Sequence, residues 1–125
     1  MKPVASERST KLQVNDFDGT RLKDTRTLAV MFYAEWCPFC RMFYPEFERA
    51  MSGASLLWAE VDISDTEDPL WERFEINVVP TVIIFKNGQS VFRRDGVLGR
   101  GLSRKALEET LETMKGLTAG VAQKT

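Results

Sequence analysis

A chain of 125 residues, 43% hydrophobic and 28% charged, holds enough apolar material for one domain with its own core and needs no disulfide framework to fold. Its 17 basic and 18 acidic residues nearly cancel, which leaves no whole-protein field to draw nucleic acid or an anionic membrane. The lack of any histidine excludes Ser-His-Asp and Cys-His catalysis and every His-based metal site.

Residues 1–9 are polar and are expected to form a flexible segment. They contain no apolar leader, and no stretch approaches the length of a membrane span, so the expected location is cytoplasmic. Residues 10–14 alternate as a short strand does. Asn15 to Thr25 is polar around Phe17 and Leu22 and predicts a short helix and a turn. Leu28 to Ala34 is a continuous apolar run, the mark of a central strand covered on both faces. Glu35-Trp36-Cys37-Pro38-Phe39-Cys40 follows at once, and then Met42, Phe43, Phe47, Ala50 and Met51 recur at helical spacing. Pro38 suits a first helical turn, Pro45 should kink the helix, and Ser52-Gly53 ends it.

Leu56 to Ile63 predicts a second strand with Trp58, Glu60 and Asp62 on one face. Asp68-Pro69 opens a short helix through Trp71 and Phe74. Thr81 to Phe85 is another buried strand, and Asn87-Gly88 turns it into Ser90–Arg94. Ser103 caps the last helix, with Leu102 and Leu107 as a staple and Leu107, Leu111 and Met114 as its buried stripe. Gly116 is expected to stop it, leaving 117–125 as a frayed tail. The order β-α-β-α-β-α-β-β-α predicts an α/β domain over 10–116, a mixed central sheet with helices on both faces.

The two cysteines lie three positions apart, so a bond between them closes almost no loop and adds little as a scaffold. In a reducing cytosol such a pair binds metal or does redox chemistry. Two thiolates without an imidazole fall short of the four ligands of a closed zinc site, so zinc or an iron–sulfur cluster would have to bridge two chains or borrow outside ligands. The redox reading needs nothing further. Cys37 stands at a helix N-terminus, whose unpaired N–H groups and dipole favour the attacking thiolate. Cys40, one turn on, can attack a mixed disulfide on Cys37 and expel the product.

Ala34-Glu35-Trp36-Cys37-Pro38-Phe39-Cys40-Arg41-Met42 resembles the active-site segment of the thioredoxin family. Pro45 matches that family's kinking proline, Val78-Val79-Pro80-Thr81 its cis-proline loop, Phe85-Lys86-Asn87-Gly88 its hairpin and Gly96 its loop glycine. The resemblance covers roughly residues 10–115, in the right order. It implies the thioredoxin fold and a monomeric thiol–disulfide oxidoreductase whose only redox group is the Cys37–Cys40 disulfide. It also implies a cis Val79–Pro80 bond that presents Val79 to an extended substrate. Trp36, Phe39, Val79, Pro80 and Gly96 would form a flat apolar rim around an exposed Cys37 sulfur. Its partners would be disulfide-containing, flexible proteins and an NADPH-dependent flavoprotein reductase.

The sequence departs from the family at three places. Met31 stands where thioredoxins carry a buried Asp, six residues ahead of the first Cys, that accepts the proton of the resolving thiol. Glu60, where the family has Lys on the adjacent strand, is a candidate replacement; the competing reading turns its carboxylate to solvent, and Glu35 is a second, more exposed candidate. Phe39 replaces the His that oxidants of this fold carry, which predicts a reducing couple nearer about −270 mV than about −180 mV. Cys-Pro-Phe-Cys also resembles the glutaredoxin Cys-Pro-Tyr-Cys, but Trp36 and the missing Gly-Gly-x-x-Asp signature after Phe85 speak against that family. Two alternatives stay open: an oxidase or isomerase, and a binding module whose cysteines bridge a metal cluster between subunits.

Overall fold

Six consecutive apolar residues make β4 (Leu28–Tyr33) the centre of the sheet, buried along both faces until Tyr33. The computed structural model describes residues 9–123. Around β4 it arranges β1 (Ser9–Leu12), β2 (Phe17–Asp18), β3 (Arg21–Leu22), α1 (Pro38–Gly53), β5 (Trp58–Asp62), α2 (Pro69–Arg73), β6 (Thr81–Lys86), β7 (Gln89–Asp95) and α3 (Arg104–Gln123). The five-stranded sheet has the order β1-β5-β4-β6-β7, with β1, β5 and β4 parallel and β6 and β7 antiparallel. This is the mixed, two-sided α/β architecture that the periodicity implies. Apart from Ser9, the segment 1–9 expected to be flexible lies outside the described residues.

Alternation along β4 divides the core. Ala29 and Met31 pack with Phe43, Phe47 and Met51 of α1 and Met114 of α3. Leu28, Val30 and Phe32 face the other way. There Phe74, just past α2, packs against Phe17, Phe32 and Phe85 with ring centroids 5.3, 5.2 and 6.0 Å apart.

Two expectations need correction. Residues 15–25 form no α-helix: a 3-10 turn (Val14–Asp16) leads into the β2–β3 ribbon. Asp16 accepts the Gln13 N–H at 2.7 Å, and Gly19 takes φ +66° at the ribbon's bend, so side-chain and turn bonds compete successfully with helix. Phe17 and Leu22 do anchor the segment, facing each other across the ribbon with both side chains buried. At the other end, α3 runs through Gly116 to Gln123 and does not stop. A mid-helix glycine costs about 1 kcal/mol, and Leu117 packing on the core beside Met114 outweighs it.

The β6–β7 hairpin turns through Asn87 and Gly88 at φ +54° and +82°, the pair of left-handed residues a two-residue turn requires. The Leu22 N–H donates to the Gly88 carbonyl at 2.9 Å, which ties the β2–β3 ribbon to the hairpin tip. A Cβ at Gly88 would stand 2.6 Å from the Leu22 carbonyl oxygen. Gly88→Ala should therefore destabilise the fold by about 1–3 kcal/mol, read as a lower urea midpoint at unchanged slope.

Candidate active site

β4 ends at Tyr33, and four residues later Cys37 is the N-cap of α1 with Pro38 as the first helical residue. The proline has no N–H to leave unpaired there and its fixed φ starts the helix. The Cys37 N–H donates to the Ala34 carbonyl at 3.2 Å, and the Cys37 carbonyl accepts from the Cys40 and Arg41 N–H groups at 3.1 and 3.3 Å. Both thiols are free and they contact one another. Neither is openly exposed: Cys37 retains 6% of its accessible surface and Cys40 2%. The expectation of an exposed Cys37 sulfur is thus corrected. Its thiol is turned toward the Val79 carbonyl, to which it donates at 3.6 Å.

The Val79–Pro80 peptide is cis. The loop over 96–101 is wedged between this turn and the cysteine motif by two glycines. A Cβ at Gly96 would lie 2.6 Å from the Pro80 carbonyl oxygen, and one at Gly101, which sits at φ +71°, 2.7 Å from the Phe39 Cβ. Reciprocal backbone bonds between Val97 and Gly101 at 2.9 and 2.8 Å close the loop.

The rim differs from the one expected. Of the five predicted rim members only Trp36 is exposed, at 54%, and Pro38, the sixth residue expected to help dock substrate, is exposed beside it; Phe39 is half-buried, and Val79, Pro80 and Gly96 are buried and shape the site from behind. The exposed apolar surface comes instead from Trp36, Val97, Leu98 and, on α1, Met42. Sequence reasoning missed Val97 and Leu98. The available signal was an aliphatic pair bracketed by Gly96 and Gly99 in a turn-rich stretch. Trp36 is held by its indole N–H donating to the Ser64 carbonyl at 2.8 Å and by parallel stacking on Trp71 at 6.4 Å.

Beneath the motif, Met31 lies in register with Glu60 of β5. Glu60 is 4% exposed, so the solvent-facing reading of its carboxylate is overturned. The Tyr33 hydroxyl donates to Oε1 at 3.0 Å and the Tyr44 hydroxyl to Oε2 at 2.6 Å. These donors explain how a carboxylate is accommodated in the core. The sequence marks both tyrosines only as polar tips within apolar spacings. Glu35 is exposed: its N–H donates to Ser64 Oγ at 2.7 Å and its carbonyl accepts from Arg41 at 2.9 Å. Among the described residues no three Cys, Asp or Glu side chains converge as metal ligands do.

Burial pushes the Cys40 thiol up to about 12 from its ordinary 9.0, opposed by a bond from the Ala34 backbone and reinforced by the neighbouring Cys37. The unfolded chain then binds fewer protons than the folded one between pH about 9 and about 12. Stability of the reduced protein should therefore fall as pH rises through that window, and Cys40→Ala should flatten the fall, as followed by urea midpoints.

The Thioredoxin family model matches residues 8–113. The thioredoxin of Mycobacterium bovis is 30% identical over 113 residues, covering 87% of this chain and 97% of that protein. A probable protein disulfide-isomerase A4 of Caenorhabditis elegans is 40% identical over 75 residues, which cover 60% of this chain and only 12% of that protein. The crystal structure of Malassezia sympodialis thioredoxin superimposes with a TM-score of 0.66 at 22% identity, covering 85% of this chain and 90% of that one, a likeness of fold.

Proposed function

The chain belongs to the thioredoxin family of thiol–disulfide oxidoreductases, and on that premise we propose that it reduces protein disulfides through its Cys37-Pro38-Phe39-Cys40 motif. The observation that carries the reading is the placement of Cys37 as N-cap of α1, with the free thiol of Cys40 one turn behind it.

In the first step the Cys37 thiolate attacks a substrate disulfide. A Cys37–substrate S–S bond forms, the substrate bond breaks, and the second substrate sulfur leaves with the electron pair. Cys40, deprotonated, then attacks the Cys37 sulfur, and the substrate's remaining sulfur leaves as thiolate. The protein has given up two electrons and two protons and holds a Cys37–Cys40 disulfide. Docking is assigned to the apolar surface of Trp36, Val97 and Leu98, with the Val79 backbone offering a short β-type pairing to an extended segment. The contact between Cys37 Sγ and the Val79 carbonyl supports this, because it sets that backbone beside the nucleophile.

An NADPH-dependent flavoprotein reductase regenerates the dithiol in this reading, and the protein works as a monomer in the cytoplasm with no redox group besides the cysteine pair. Phe39 at the position before Cys40 offers no hydrogen bond or charge to a thiolate, which favours a reducing couple. A second reading, as an isomerase or oxidase, draws on the 40% identity to the isomerase segment.

In the insulin reduction assay with dithiothreitol, Cys37→Ser should abolish activity, while Cys40→Ser should accumulate a mixed disulfide on Cys37 visible by mass spectrometry. Retained activity in Cys37→Ser would remove the proposal. Equilibration with glutathione should place the couple near about −270 mV, and a value near about −180 mV would favour the isomerase reading.

A further inference from the structure

At the end of the sheet opposite Cys37, where β4 and β5 begin, the fold leaves an open cavity of about 760 Å³. A volume of that size falls in the range of small-ligand sites. Its walls are the loop before β4, the loop between α1 and β5, the tip of β6 and the second half of α3. The floor is apolar: Ala54, Leu56, Leu57 and Ala119 line it, and Leu57 keeps 38% of its surface exposed. The charged groups on the wall are Arg26, Lys86 and Lys115. No carboxylate lies among the described lining residues, although the chain as a whole has a net charge of -1. Asp24 takes up the Arg26 charge through paired bonds at 3.1 and 2.7 Å. Lys86 and Lys115 make no ion pair or hydrogen bond among the described residues. Along β6, Val82 and Ile84 pack into the core that receives α1 and α3, and the period of two puts Lys86 on the same face, half-buried. Capping of α1 does not account for the two lysines. The carbonyls of Ala50, Met51 and Ser52 already accept from the N–H groups of Ala54, Leu56 and Ser55 at 3.2, 2.9 and 3.0 Å.

We propose that this cavity binds a small amphipathic anion, an alkyl carboxylate, with its head between Lys86 and Lys115 and its chain along Leu56 and Leu57. Two unpaired ammonium groups beside an apolar floor match the two halves of such a molecule. An inorganic anion would leave the floor facing water, and a neutral hydrocarbon would leave both lysines without a partner. Lys86 contributes more than a fully exposed lysine does, because water screens a half-buried charge less. Burial of the chain scales with its length, so affinity should rise about threefold for each added methylene until the floor is covered. The cavity lies a full strand length from Cys37 and shares no residue with the cysteine motif, so binding there does not depend on dithiol exchange.

The test titrates octanoate, hexanoate, octanol and inorganic phosphate into the isotope-labelled protein and follows its backbone amide resonances. Octanoate should give saturable shifts centred on Ser55, Leu57, Lys86 and Lys115, and should bind about tenfold tighter than hexanoate or octanol. Phosphate should give no saturable shifts there. In the double variant Lys86→Gln, Lys115→Gln the octanoate affinity should fall by at least about tenfold, while resonances away from the cavity and insulin reduction stay as in the wild type. Shifts that do not saturate, or an affinity unchanged by the double substitution, would overturn the proposal. So would octanol or phosphate binding as tightly as octanoate, or shifts that gather on Trp36, Val97 and Leu98 instead. Should the double variant fail to fold, Lys115→Gln at its exposed helix position carries the test alone, with a loss of about threefold expected and no loss overturning the proposal.

Discussion

Because β4 is covered on both faces, its backbone can meet solvent only where the strand runs out, and that is where Cys37 stands. The neighbouring strands β5 and β6 and the helices on the two faces of the sheet bury β4 from Leu28 to Phe32. The chain leaves the sheet at Tyr33 and enters α1 within four residues, so strand end and helix start meet at one point. Open α/β sheets collect their chemistry at such carboxyl ends. The register of β4 is therefore the constraint on which the site depends. A slip by one residue would exchange Met31 and Phe32 between the two cores and turn the cysteines away from the Val79 carbonyl.

The same register governs the polar interior. Tyr33 shares a face with Met31, and Glu60 shares one with Trp58, so the side of the sheet that receives α1 also receives a carboxylate. A buried carboxylate without donors is strongly unfavourable. Tyr33 from the neighbouring strand and Tyr44 from the helix remove that difficulty by satisfying one oxygen each. The position left apolar by Met31 and the position made acidic by Glu60 are thus parts of one rearrangement across adjacent strands.

Features governed by local rules were legible in the sequence. The apolar run of β4, the proline after Cys37, Asn87-Gly88, Asp68 accepting the Leu70 N–H and Ser103 accepting the Ala106 N–H all follow from neighbours a few positions away. What eluded it depends on distant partners. The β2–β3 ribbon exists because Leu22 reaches Gly88. The helix α3 passes Gly116 because Leu117 finds the core. The partners of Glu60 lie 27 and 16 positions away, and no periodicity joins them to it. The burial of Cys37 likewise comes from Val79, 42 residues later.

The loop from Gly96 to Gly101 separates what is fixed from what can vary. At its ends, any side chain would collide with the Pro80 carbonyl or with Phe39, so those two positions are held by steric necessity. Between them, Val97 and Leu98 point outward on a turn that closes on itself. If Val97 and Leu98 dock partners as proposed, partner preference can drift among descendants of this sequence by exchange of those two side chains, with the cysteine pair beneath left untouched. The loop is a replaceable bit in a rigid socket.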